Sequence, residues 1–353
     1  MKPNYYRFPL MAVGIISLFS ALWGGLIRLG LNLPLLSPSL SQFHGPLMVS
    51  GFLGTLIGLE RAVAINKPWS YGAPVLSGFG ALTLILGFSK DLSAVFTLLS
   101  SLILVVVFLT FYLRQPELYT LTMGLGSISW MIGNFLWFFE VPINRLFIWW
   151  GAFLVLTIVG ERLELARLGF LTSFAKKTYQ AGIGLLSGGL AITLISFDIG
   201  LKLTGIGFIV LAVWLLKFDI ARHTVRQLGL TRFIAIALLL GHIWLAVAGI
   251  LSFFIGANLS FYSYDAVIHS LFIGFVFSMI FGHAPIIFPA ILGTPLKYHP
   301  GFYLHLGLLH LTLILRVGSD MIEWQAGQKW AGSLNVIVIL LFLFITVYSV
   351  VAN

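Results

Sequence analysis

The sequence predicts an all-α membrane protein: one integral-membrane domain over residues 1–353, a helical bundle of about twelve transmembrane helices with both termini cytoplasmic. Three observations predict it. First, the 353 residues are 59% hydrophobic and only 9% charged, with a mean hydropathy of +1.04. A soluble domain carries about 25% charged residues, so the polar groups here are too few to cover a water-facing surface, and a water-soluble enzyme is excluded. Second, the apolar residues gather in long continuous runs rather than alternating with a period of two, which selects helices over a β-barrel. Third, lysine and arginine fall between the runs and favour one side.

A spanning helix needs about 20 mostly apolar residues. Such runs lie near 8–29, 44–65, 72–89, 92–113, 119–139, 143–160, 179–197, 201–218, 231–256, 265–284, 301–318 and 330–351. The first follows Lys2 and Arg7 as a signal peptide would, but no small-residue cleavage site comes after it, so it reads as an uncleaved first helix. The longest connection, residues 30–43, holds two prolines and several serines and suits an outer loop. With both ends inside, fourteen of the twenty basic residues face inward; Arg28, Lys90, Arg145, Lys202, Arg316 and Lys329 face outward. A missed span would swap every later loop and blur that bias. The net charge of +9 therefore reflects membrane topology, not a nucleic-acid surface, and the cell membrane is the expected location.

The absence of cysteine removes disulfides, thiolate metal sites, c-type haem attachment and a cysteine nucleophile. Ionisable groups inside spans are functional candidates by default, which puts the eight histidines first. His44 opens span two and His269 lies about one turn into span ten, at similar depth in the outer leaflet. Met48 shares a helix face with His44. Asp265, four residues before His269, can accept a hydrogen bond from one of its ring nitrogens and so fix its tautomer. Two imidazoles at one depth suit a bis-histidine haem; two interfacial histidines bonded to backbone or water are the alternative. On the inner side His242, His283, His305 and His310 are weaker metal candidates, since imidazole also suits copper.

Other polar features extend these readings. Arg28 and Arg316, at the outer ends of spans one and eleven, could face haem propionates; pairing with Asp320 is the alternative for the latter. Glu161, Arg162, Glu164 and Arg167 read as an ion-pair network with Glu60 and Arg61. Pro285 and Pro289 predict a break or kink in span ten, and Gly274, Ser278 and Gly282 form a small-residue face open to a helix or a flat macrocycle.

The segment His44-Gly45-Pro46-Leu47-Met48-Val49-Ser50-Gly51-Phe52 resembles the histidine-rich opening of an early span in the NnrS family. His269-Ser270-Leu271-Phe272-Ile273-Gly274, continuing to Met279, is similar to that family's His-x4-Gly…Met helix. Leu313-Ile314-Leu315-Arg316-Val317 resembles its arginine-terminated helix, and Arg162 after Gly160 its Gly-Arg step. The likeness covers about fifty residues, and Pro46 stands where the family has a second histidine. It implies a twelve-span protein with non-covalent b-type haem and copper, distantly like the catalytic subunit of haem–copper oxidases. His44 and His269 would be iron ligands and Met48 a neighbouring soft ligand. The expected role is redox chemistry or handling of a small diatomic such as nitric oxide, with an electron donor as partner beside the lipid bilayer. The alternative is a proton-coupled secondary transporter using His269, Asp265 and the inner histidines.

Overall fold

The computed structural model describes residues 7–34, 40–167, 171–258, 260–292 and 297–351. All regular structure among them is helical. Twelve long helices follow the twelve apolar runs: α1 (Phe8–Arg28), α2 (His44–Ile65), α3 (Gly72–Ile85), α4 (Lys90–Arg114), α5 (Leu118–Phe138), α6 (Ile143–Ala166), α7 (Ser173–Thr193), α8 (Phe197–Phe218), α9 (Gly229–Ile255), α10 (Phe261–Ile287), α11 (Phe302–Met321) and α12 (Gln325–Val351). Nine of these, all but α3, α5 and α7, are long and apolar enough to cross a membrane. The shortfall has a local cause in each case. α3 has 14 residues, about 21 Å at 1.5 Å per residue. α5 carries Thr120, Thr122, Ser127, Ser129 and Asn134 along its buried side, and α7 starts on Lys176, Lys177 and Gln180.

The helices are apolar on both sides, and the hydroxyls and amides that they carry turn inward among a mostly apolar core. α4 exposes Leu99, Leu102, Val106, Leu109 and Leu113, one stripe at helical spacing, and buries Ser93, Thr97, Ser100 and Ser101. α12 exposes Trp330, Leu334, Ile337, Phe344 and Tyr348 while burying Asn335. Small side chains let backbones approach, and their hydroxyls hydrogen-bond across helices.

The chain divides into two compact units, residues 1–153 with 291–293, and residues 154–290 with 294–353. In the first unit Ser93 Oγ donates to Gly80 O at 2.7 Å and Ser100 Oγ to Ala73 O at 2.7 Å, lacing α4 to α3. Asn134 of α5 is a hub. Its Nδ2 donates to Thr97 O at 3.1 Å, and its Oδ1 accepts from Trp150 Nε1 at 3.0 Å and Ser50 Oγ at 3.4 Å. Four helices meet on that one amide. In the second unit Trp214 Nε1 donates to Ala175 O at 2.7 Å, tying α8 to α7, and Asn335 Nδ2 donates to Thr312 Oγ1 at 2.7 Å, tying α12 to α11.

Two helices are not uniform. In α2 the backbone widens to i→i+5 bonding over Leu47–Gly54, and in α10 over Ser270–Phe277. Of the break or kink expected at the prolines of α10, the break does not occur: helical backbone runs on beyond Ile287 to Leu292. Prolines four apart lie on one face, so the lost bonds fall along one strip and the rest of the turn holds. Membrane helices tolerate proline in this way.

Replacing Asn134 with Leu should destabilise the protein by about 1–3 kcal/mol, read as a lower thermal midpoint in detergent, because Trp150 Nε1 then lacks an acceptor. An unchanged midpoint would show that the hub does not hold the first unit together.

Candidate functional site

His44 begins α2, and its ring lies against α1. Nδ1 donates to Ala21 O at 2.6 Å, so the neutral ring keeps its lone pair on Nε2. Gly25 makes room for the imidazole: a Cβ there would sit 3.0 Å from the ring. Met48 is half-buried one turn on, inside the widened stretch, where the i→i+5 geometry shifts every later residue off the face a regular helix would give it. Arg28, at the end of α1, is exposed.

His269 repeats the arrangement in the second unit. Its Nδ1 donates to Asp265 O at 2.9 Å and lies 3.2 Å from Asp265 Oδ2, again leaving the lone pair on Nε2. The aspartate is held from its other side. Arg316 of α11 forks onto it, Nε to Oδ2 at 2.7 Å and Nη2 to Oδ1 at 3.0 Å. Beside the expectation that Arg316 faces propionates or pairs with Asp320, two of its guanidinium nitrogens engage Asp265. Asp320 instead accepts from Gln328 Nε2 at 2.8 Å.

Each histidine sits at or just before the start of a widened turn, and the two turns are supported alike. A π turn leaves backbone groups out of the regular ladder. Ser77 Oγ donates to Ser50 O at 2.6 Å in the first, and Ser278 Oγ to Gly274 O at 2.6 Å in the second. A tryptophan lies across a glycine of each turn, where a Cβ would come within 2.5 Å of the indole: Trp130 over Gly54 and Trp244 over Gly274. The Trp130 Nε1 donates to Ser50 Oγ at 3.1 Å, and the Trp244 Nε1 to His310 Nδ1 at 3.0 Å. The small face Gly274, Ser278, Gly282 is therefore filled by Trp244, Gly241 and Ala237 of α9 and is a helix-packing surface.

The inner histidines do not converge. Among the described residues no three His, Asp or Glu side chains come together where a metal ion could sit. His283 is half-buried and donates from Nδ1 to Met279 O at 2.7 Å. His310 accepts at Nδ1 from Trp244, so its neutral form carries the proton on Nε2, the opposite tautomer to His44 and His269. His305 is enclosed by the rings of Phe233, Phe281, Phe302 and Phe342, at 4.9–6.0 Å between centroids. Neither nitrogen of His305 or of His242 has a hydrogen-bond partner.

One functional-looking pair escaped the sequence. Arg162 forks onto Asp219, Nε to Oδ2 at 2.6 Å and Nη2 to Oδ1 at 2.7 Å, with both side chains buried. Asp219 Oδ1 also accepts from Ala221 N at 2.7 Å. The network expected around Arg162 thus has a different centre; Glu164 lies 3.9 Å from Arg167 on the surface. Asp219 looks like a loop residue between Lys217 and Arg222, and nothing in its sequence context marked it. Burial pushes its carboxyl up, but the two bonds and the charge of Arg162 outweigh that and hold it below the usual carboxylate range.

The sequence matches, over residues 7–351, the family described as Domain of unknown function (DUF8744). The chain belongs to that family. No curated protein and no solved structure matches it.

A carboxyl whose folded pKa lies below its unfolded value of about 3.9 stabilises the fold above that pH, and the contribution disappears as pH falls through the folded value. The thermal midpoint in detergent should therefore be level from about pH 7 to pH 5 and fall below about pH 4. Asp219→Asn should remove that acid limb and cost about 3–5 kcal/mol at neutral pH, because it strands a buried guanidinium. The double change with Arg162→Gln should recover part of the loss; a double variant as unstable as the single one would show that the pair is not the cause.

Proposed function

We propose that this is a twelve-span protein of the cell membrane, both termini cytoplasmic, that binds haem in the manner of the NnrS family and serves redox chemistry or the handling of a small diatomic such as nitric oxide. Twelve spans are supported by the coincidence of all twelve apolar runs with helices of at least 14 residues, and the orientation by the bias of the basic residues.

The observation that carries the haem reading is the shared state of His44 and His269. In both, Nδ1 is spent on a backbone carbonyl, which leaves Nε2 as the basic nitrogen, the state of a ligating imidazole. His269 caps a π stretch and His44 lies three residues before another, a rare element frequent at functional sites. Asp265 stands behind His269 as the carboxylate partner that raises the basicity of a ligating ring, and Arg316 holds that carboxylate in place. Arg28 remains a candidate for a propionate. Haem would supply one-electron chemistry and a position for a diatomic ligand. The chain's own residues would orient the imidazoles, keep the site apolar and set the electron density on the His269 ring. The reading also takes in copper, to which no residues are assigned.

An optical spectrum of the detergent-purified protein, oxidised and then reduced, with iron and copper quantified on the same sample, tests this. The expected result is a Soret band that sharpens on reduction, about one iron per chain, and loss of the band in His44→Ala and His269→Ala. A colourless, metal-free protein that does not take up added haem would overturn the reading and leave proton-coupled transport through the membrane histidines in its place.

A further inference from the structure

His242, midway along α9, is fully buried, and both of its ring nitrogens lack a partner. It faces the Arg162–Asp219 pair, with Nε2 3.9 Å from Asp219 Oδ2. The oxygens of Asp219 are not equivalent. Oδ1 accepts two hydrogen bonds, from Arg162 Nη2 and Ala221 N, whereas Oδ2 accepts only Arg162 Nε and has a lone pair left on the side of His242. At 3.9 Å no hydrogen bond joins the two, and a small closure brings Nε2 to the N–H···O distance of about 2.7–3.2 Å.

We propose that His242, Asp219 and Arg162 form a proton-binding site inside the second unit. The proton adds to His242 Nε2, and the new N–H donates to Asp219 Oδ2. The net charge of the trio goes from zero to +1 with no other bond made or broken. Arg162 from α6, Asp219 from the end of α8 and His283 from α10 are the charged or titratable groups that act on the ring. Arg162 has a definite part: its fork fixes the carboxylate so that Oδ2 points to the imidazole, making it a positioning residue. His283, half-buried on α10, acts on the ring only through its charge. The site serves any activity that consumes or moves protons across the bilayer, and it stands whether or not haem is bound.

Two measurements on the full-length purified protein test it. Proton uptake between pH 7 and pH 3, followed with a soluble indicator, should be smaller by about one proton per chain in His242→Gln than in the wild type. Deuterium exchange at the Cε1–H of each histidine, read by mass spectrometry, should show a pH-dependent step for His242, and removal of the carboxylate should move that step at least tenfold in proton affinity. The carboxylate is removed by Asp219→Asn, or by Asp219→Asn with Arg162→Gln if the single variant does not fold. The exposed loop residue His223 is the internal control and should not move. Equal proton uptake by wild type and His242→Gln overturns the proposal. So does a His242 ring that does not exchange across this range, or a step that stays in place without Asp219.

Discussion

A bilayer offers no water to a stray polar group, so each N–H, hydroxyl and charge within the spans must find its partner in the protein or stand at a site. That constraint organises the structure. It explains why the serines, threonines and asparagine on the inward sides of α3, α4 and α5 are each bonded to a carbonyl or indole. It explains why Arg162 and Arg316 are each forked onto one aspartate with both oxygens engaged. Removing water makes such pairs compulsory once the charge is present, because an unpaired guanidinium there would be far costlier than any loss of packing.

Against that background the exceptions become informative. Most hydroxyls in the spans return to a carbonyl three or four residues back, but His242 and His305 have no bond at all. His305 is caged by four aromatic rings and His242 faces an ion pair. The two environments differ in kind, aromatic rings around one and an ion pair beside the other. The widened turns are exceptions of another kind. Each frees backbone groups and then recovers them with a serine hydroxyl, and each is overlaid by a tryptophan that only glycine admits. Two such turns, each preceded by a histidine with the same tautomer, are a local repetition that the overall order of helices does not require.

Burial along the chain follows a related pattern. The three most enclosed of the nine apolar spans are α2, α6 and α10, with 61%, 78% and 72% of an eighteen-residue stretch buried, against 33–56% for the other six. They are every fourth helix in sequence. They carry His44, Arg162 and His269, so the candidate chemistry sits on the helices with least lipid contact, where an ionisable group costs least to keep.

The sequence by itself determined the class of the protein and the place of its twelve helices, with several ends off by four to six residues, because an apolar helix is fixed by local composition and length. It also picked out His44, His269 and Asp265, since i,i+4 spacing on one helix needs no knowledge of the fold. Tertiary structure alone decided the partners across helices. Arg316 was legible as a cation at the outer end of its span but not as the clamp on Asp265, 51 residues away, and Asp219 was indistinguishable from an inner-loop residue until α6 and α9 were packed beside it. The small face of α10 could have received a ring or a helix, and only the position of Trp244 shows that α9 fills it. Pairing distant residues depends on how helices pack and rotate about their axes, and hydropathy, which sets length and order, carries no information on either.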